Sequence, residues 1–184
     1  IERLAAEEGS YYYFSHTHDS HHLHFSNSTS LAEKKGDLVY NAMPAGERPQ
    51  AAVWHWVYEE KLGSNHQTLR DYTFTNPRYN QEHQAISQMS LGSHQGDYER
   101  YDYPGRYKRD AQGKPFTQYR LEYEQREAKI AFAQSDDLRL LPGYVFGLTG
   151  HQCEAFNRDW LVIGVEHYGW QSGGLEEEAG EEGN

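Results

Sequence analysis

Residues 1–26, IERLAAEEGSYYYFSHTHDSHHLHFS, decide how this chain is read. The first eight residues are helix formers, and Gly9 stands where a helix ends in the left-handed conformation that glycine adopts without a Cβ penalty. Three tyrosines and Phe14 follow, then a polar tip, then a second alternating run. A reversal at Asp19-Ser20 gives a β-hairpin in which Phe14 faces Phe25 and His16 faces Leu23. Tyr12 lies beside Phe14 on that apolar face, while Tyr11, Tyr13, Ser15, His22 and His24 occupy the other.

The same stretch packs five of the eleven histidines into residues 16–24. A metal site needs ligands that converge, and in this register His22 and His24 share a face one pleat repeat apart, a pair suited to two corners of a zinc or nickel site. His16 lies on the opposite face, and His18 and His21 flank the turn. The reading is a polar-faced hairpin with exposed imidazoles, with His22 and His24 as the candidate metal pair.

Working outward, residues 37–40 and 52–58 carry strand-forming types on either side of a loop with two prolines. Residues 67–74 form a further strand ending at Asn76-Pro77, and the polar stretch 78–98 reads as a long loop. Pro104-Gly105 marks a sharp turn. Pro115 suits the first turn of a helix running to about Glu127, with Phe116, Tyr119 and Tyr123 on one face and Leu121 nearly opposite, so that the helix touches two surfaces. Glu122 and Arg126 make an i, i+4 pair on its outside. Strands follow at 129–133, 144–149 and 160–168, the second of them entered through Pro142-Gly143. The expected fold is mainly β with two short helices, of the α+β class.

With 184 residues the chain can bury a core, and 14% aromatic content separates it from disordered sequences. Its formal charge is −11 and it shows no basic stripe, which excludes nucleic-acid binding by phosphate neutralisation. Residues 175–184, LEEEAGEEGN, hold five glutamates and read as a solvated linker. No apolar run approaches the ~20 residues that span a bilayer. Cys153 is the sole cysteine, so no intrachain disulfide forms, which leans toward a reducing compartment. Ile1 falls inside the first helix and the chain stops in the acidic run, so a piece of a longer protein is expected.

Other reactive residue types read as structural. Asp136-Asp137 forms a solvated turn. His151 and Cys153 sit in one turn, without the adjacency and thiol activation that nucleophilic catalysis needs. Glu166 and His167 point to opposite faces of a strand. There is no nucleotide loop and no catalytic residue, so no enzyme and no cofactor is expected. Tyrosine- and tryptophan-rich strands suit an assembly with aromatic anchors between subunits. The candidate interface or core aromatics are Trp54 and Trp56, read as lying on one side of their strand, and Trp160.

Five segments, taken in order, resemble the VgrG spike proteins of bacterial type VI secretion: IERLAAEEGSYYYF with its hairpin, QTLRDYTFTNP, YDYPGRY, LLPGYVFGLTGH and FNRDWLVIGVEHYG. The histidine-rich hairpin turn departs from that family, which more often has acidic residues and glycine there. The resemblance implies a phage-tail-hub-like β-barrel domain plus a smaller helix/hairpin subdomain. Residues 1–68 would be that helix–hairpin subdomain, residues 69–170 the second hub barrel and residues 171–184 an acidic loop. It further implies a homotrimer that docks on a hexameric Hcp tube, carries a needle and helps deliver effectors. Such a spike assembles in the cytoplasm of a Gram-negative bacterium and is then exported. A contractile phage or pyocin tail hub is the alternative within that architecture. A metal-dependent enzyme centred on His22 and His24 is the alternative of another class.

Overall fold

The computed structural model describes residues 1–43, 50–88, 96 and 98–169; the acidic residues 175–184 lie outside them. Helix α1 (Glu2–Glu7) ends as its sequence requires. Gly9 has φ +69°, its N–H donates to Ala6 O at 3.1 Å, and Ser10 N–H donates to Ala5 O at 2.8 Å. Those two bonds satisfy carbonyls that the last turn leaves open.

Strands β1 (Tyr11–His16) and β2 (His21–Ser26) form the hairpin. Its register pairs Tyr12 with Phe25, Phe14 with Leu23 and His16 with His21. The reversal therefore centres on His18-Asp19, one residue earlier than the sequence reading. Thr17 causes this: its N–H donates to Ser20 O at 2.7 Å, and its hydroxyl lies 2.8 Å from the Ser20 hydroxyl. Moving the turn by one residue shifts each partner by two, which changes the pairs and keeps every side chain on its face.

A five-stranded sheet is built from β3 (Lys34–Tyr40), β4 (Ala52–Glu60), β8 (Lys129–Ser135), β9 (Val145–Thr149) and β10 (Asp159–Leu161), in the order β10-β9-β3-β4-β8. β3 runs parallel to both β4 and β9. Leu38, Val53 and Leu148 form its buried centre. Lys34 ties the sheet across sequence, donating to Asp159 at 2.7 Å and lying 2.8 Å from Asp37. β10 is shorter than the expected 160–168 strand: Val162 N–H and O still pair with Tyr144 O and Gly143 N at 2.9 Å, and the residues after it have no strand to pair with among those described.

A second sheet, ordered β6-β5-β7, contains β5 (His66–Asp71), β6 (Gln81–Ile86) and β7 (Glu99–Asp102). β6 falls where the sequence reads as a loop. Its inward residues are Gln81, His83 and Ala85, while Ile86 is exposed, so the hydrophobic alternation that marks a strand is inverted. Helix α2 (Asp110–Gln125) covers β5 and β6 with Gly113, Thr117 and Leu121. It begins five residues before Pro115, which sits one turn inside rather than at the start. The aromatic stripe faces elsewhere, with Tyr119 against Gly9 of the α1 end, so the helix does contact two surfaces. The Glu122–Arg126 pair is not formed; Gln118 bonds Glu122 at 2.9 Å and Arg126 stacks on Tyr123 at 3.8 Å.

The class is thus mainly β with two helices, and the barrel expectation is corrected. The described strands make three open sheets of two, five and three strands. Closure of the largest would require β10 and β8 to meet, and three residues of β10 pair on one side only with β9. Its strands come from both sides of residue 68, and the proposed boundary there falls within β5. No helix among the described residues is long and apolar enough to cross a membrane.

Candidate functional site

The hairpin meets the rest of the molecule through the face that the sequence reading left as polar. Tyr13 packs edge-on to Tyr144 with ring centroids 5.8 Å apart, and stacks on His24 at 4.9 Å and 14°. His24 Nε2 lies 2.7 Å from the Ser15 hydroxyl. Tyr11 donates its hydroxyl to Ser28 O at 3.1 Å. Gly143, at φ +88°, makes room for this packing, because a Cβ there would lie 2.2 Å from the Tyr13 ring. Amphipathic tyrosine rings bury their apolar bodies while their hydroxyls find partners, which is how a strand face without aliphatics can pack.

The apolar face consequently points outward. Tyr12 is 36% exposed, Phe14 44%, Leu23 45% and Phe25 58%. Tyr12 contacts Phe14 at 6.3 Å and Phe25 at 5.9 Å, so these rings form one patch. A two-stranded hairpin with an uncovered apolar face is marginal on its own, and exposed apolar patches of this kind are where interaction sites are found.

A second aromatic concentration lies on the five-stranded sheet. Trp56 meets Trp160 at 4.8 Å, and Tyr58 meets Phe156 at 4.8 Å. His151 sits 4.4 Å from Tyr40 and 5.0 Å from Phe156. Trp160 donates Nε1 to Phe156 O at 3.0 Å, and the Arg158 guanidinium lies 4.4 Å over its ring. Trp56 and Trp160 pack against the buried Leu38, Val53 and Leu148. Trp54 does not join them. Between Trp54 and Val57 the β4–β8 register slips by one residue, and His55 adopts φ +50°. This bulge puts Trp54 and Trp56 on opposite faces, against the alternation expected from an unbroken strand. Trp54 lies opposite Gln134 and donates Nε1 to it at 2.9 Å, on the side where Val57 and Phe132 are exposed.

The residues with candidate chemistry are dispersed and engaged. His22 Nε2 is 3.2 Å from the Ser20 hydroxyl and His24 Nε2 is 2.7 Å from that of Ser15, so one nitrogen of each ring in the expected metal pair is turned to a separate partner. Among the described residues no three His, Cys, Asp or Glu side chains converge as metal ligands. Asp137 is buried rather than solvated. Arg139 forks onto both its oxygens at 2.6–3.0 Å and holds its carboxyl below the usual carboxylate range. Asp136 accepts the Ala52 N–H at 2.9 Å. His151 Nδ1 accepts the Cys153 backbone N–H at 2.9 Å, and the thiol is exposed.

Sequence reading missed two polar centres. Asp110, at the start of α2, accepts from Tyr79 and lies 2.9 Å from His83 Nε2; the Tyr79 hydroxyl and then His83 keep its carboxyl below the usual range. Tyr107 is buried between β5, β6 and α2, with its hydroxyl 2.6 Å from Gln81 O and 3.2 Å from Leu69 O. Burial pushes its phenol from 10.0 to about 12, with smaller contributions from Asp71 and Asp110. These groups pin α2 to its sheet. A solvent-open hollow of about 540 Å³ near Ser64 and Glu99 has Glu124 on its wall, and that carboxylate is tied to Arg100 at 2.7 Å.

Residues 1–173 match the family model described as phage tail baseplate hub (GPD). Type VI secretion system spike protein VgrG2b of Pseudomonas aeruginosa is 42% identical over 181 residues, covering 97% of this chain and 18% of that protein. Spike protein VgrG3 of Vibrio cholerae is 40% identical over 98% of this chain and 18% of its own length. Actin cross-linking toxin VgrG1 of Vibrio cholerae is 38% identical over 98% of this chain and 16% of its own length. The chain thus spans less than a fifth of these relatives.

Proposed function

The chain belongs to the phage tail baseplate hub family, in the hub region of VgrG type VI secretion spike proteins, and from that premise we propose that it serves as a structural segment of a trimeric spike hub. The match of residues 1–173 to the hub family carries this reading. In it, the hub joins an Hcp tube to a needle, assembles in the cytoplasm and leaves the cell with the spike and its effectors. The segment performs no turnover of its own. The activity in the name of the actin cross-linking relative is that protein's, and this chain spans 16% of it.

Two surfaces support an assembly role. The outer hairpin face offers Phe14, Leu23 and Phe25 to a neighbouring subunit. Trp54, with Val57 and Phe132 on the same side of the sheet, offers a second aromatic anchor, whereas Trp56 and Trp160 belong to the packing beneath. Mass measurement of the full-length protein tests the proposal: a trimer is expected, and a stable monomer over a wide concentration range would overturn it. A contractile phage hub remains the second reading, favoured by the family's own description. A neighbouring Hcp and sheath cluster, rather than tail-morphogenesis genes, decides against it.

A further inference from the structure

We propose that His16 and His21, facing each other across the hairpin, form a two-imidazole site for a divalent transition metal, with copper(II) the strongest occupant and nickel(II) and zinc(II) weaker ones. The pair differs from His22 and His24, and three observations single it out.

The first is register. His16 and His21 are direct partners of β1 and β2, with ring centroids 6.2 Å apart. Because Thr17 N–H bonds Ser20 O, the next pair out is the non-hydrogen-bonded kind, in which side chains stand closest, at about 5 Å between Cβ atoms. Rotation about the side-chain torsions of two exposed residues suffices to bring a nitrogen of each ring onto one ion, at metal–nitrogen distances of about 2 Å.

The second is availability. His18 Nδ1 lies 2.6 Å from the Asp19 carboxylate, His22 is taken by Ser20, and His24 by Ser15. Among the described residues, neither His16 nor His21 has a hydrogen-bond or ion-pair partner; their contacts are between rings, His16 with Phe14 at 6.3 Å and with His21. The only two histidines of the hairpin without a polar partner are the two that oppose each other.

The third is ligand chemistry. Two neutral imidazoles with no third side chain converging on them suit a first-row transition metal whose other positions are filled by water. Copper(II) binds nitrogen sites more tightly than nickel(II) or zinc(II). Calcium and magnesium are excluded because they require oxygen donors, and the neighbouring Asp19 oxygen is turned to His18. The site is open and does not resemble the closed tetrahedral cages of structural zinc.

The test is calorimetric titration of the chelator-stripped 184-residue chain with copper(II), paired with electron paramagnetic resonance of the bound ion. One equivalent bound through two imidazole nitrogens is expected. His16→Ala and His21→Ala should each weaken binding about tenfold or more, with His22→Ala leaving it within about threefold. Circular dichroism verifies that the variants remain folded, as replacement of exposed side chains predicts. Wild-type binding by His16→Ala or His21→Ala, a loss caused by His22→Ala instead, or a spectrum of oxygen ligands alone overturns the proposal.

Discussion

Tyr107 shows how one side chain can hold three elements. Its hydroxyl proton is shared between carbonyls of β5 and β6, and its ring lies 5.4 Å from His83 beneath α2. Tyr107→Phe leaves those carbonyls without their donor and should cost about 1–3 kcal/mol in urea unfolding at pH 7. The folded phenol titrates at about 12 and the unfolded one at 10.0, so its contribution is complete below pH 10 and is lost as pH rises toward 12. Alkaline unfolding should therefore show a smaller loss across that window in Tyr107→Phe than in the wild type, the rest coming from other tyrosines whose phenols are also raised, such as Tyr58. Asp137 behaves in the opposite sense. Arg139 lowers its folded pKa, so its stabilisation is present above the unfolded value near 4 and fades as pH falls through the folded one. Asp137→Asn should destabilise by roughly 1–3 kcal/mol at pH 7, and the gap to wild type should close on acidification. Tyr107 did not stand out in the sequence, and Asp137 was read there as part of a solvated turn. A buried tyrosine and a solvated one are spelled alike, and the Asp137–Arg139 pair is local but its burial comes from packing.

At the scale of elements, α2 tests which stripe of a helix matters. Leu121 is buried against the sheet, whereas Tyr123 at the rim is partly exposed and covered by Arg126. Leu121→Ala should cost about 2–4 kcal/mol, and Tyr123→Ala less than about 1; equal losses in chemical unfolding would place the helix the wrong way round. The β4 bulge offers a second test. His55 at φ +50° should accept glycine with little change or a slight gain, while His55→Val should destabilise by about 1 kcal/mol or more, since a β-branched residue resists that region. The elements most legible in sequence were those with local signals: the α1 stop at Gly9, the β1–β2 faces, and β9 behind Pro142-Gly143. The β6 strand and the Trp54–Trp56 inversion were not legible. The first conceals its buried side in Gln81, His83 and Ala85, and the second depends on one inserted residue whose position only the β8 partner reveals.

For the whole molecule, the hairpin is inside out relative to simple hydrophobic reasoning, and this separates folding from assembly. Because Phe14 and Phe25 are about half exposed, Phe14→Ser and Phe25→Ser should each cost the isolated chain less than about 1.5 kcal/mol. In the full-length protein the same pair of changes should shift the measured mass from trimer toward monomer. Unfolding of the isolated chain with a loss several times larger would show that this face is core after all. Sequence alone identified the hairpin and the family, because alternation and ordered segments are written in the chain. It misjudged which face turns inward, since that depends on Tyr144 and Gly143, over a hundred residues away.

The central strand β3 also sets a timetable for synthesis. Its partner β9 comes late, and the Thr149 hydroxyl reaches back 111 positions to Leu38 O. At roughly 5–20 residues per second, β3 waits on the order of ten seconds before β9 is even translated. During that interval Leu38 and Val53 have no Leu148 to close over them, and the parallel edge that β9 will occupy stands open. Such long-range parallel pairing is slow to form and prone to capture by other chains. Slower translation prolongs the exposure of that edge, so yield of native protein is governed by how well the nascent chain is shielded until residue 149 has emerged.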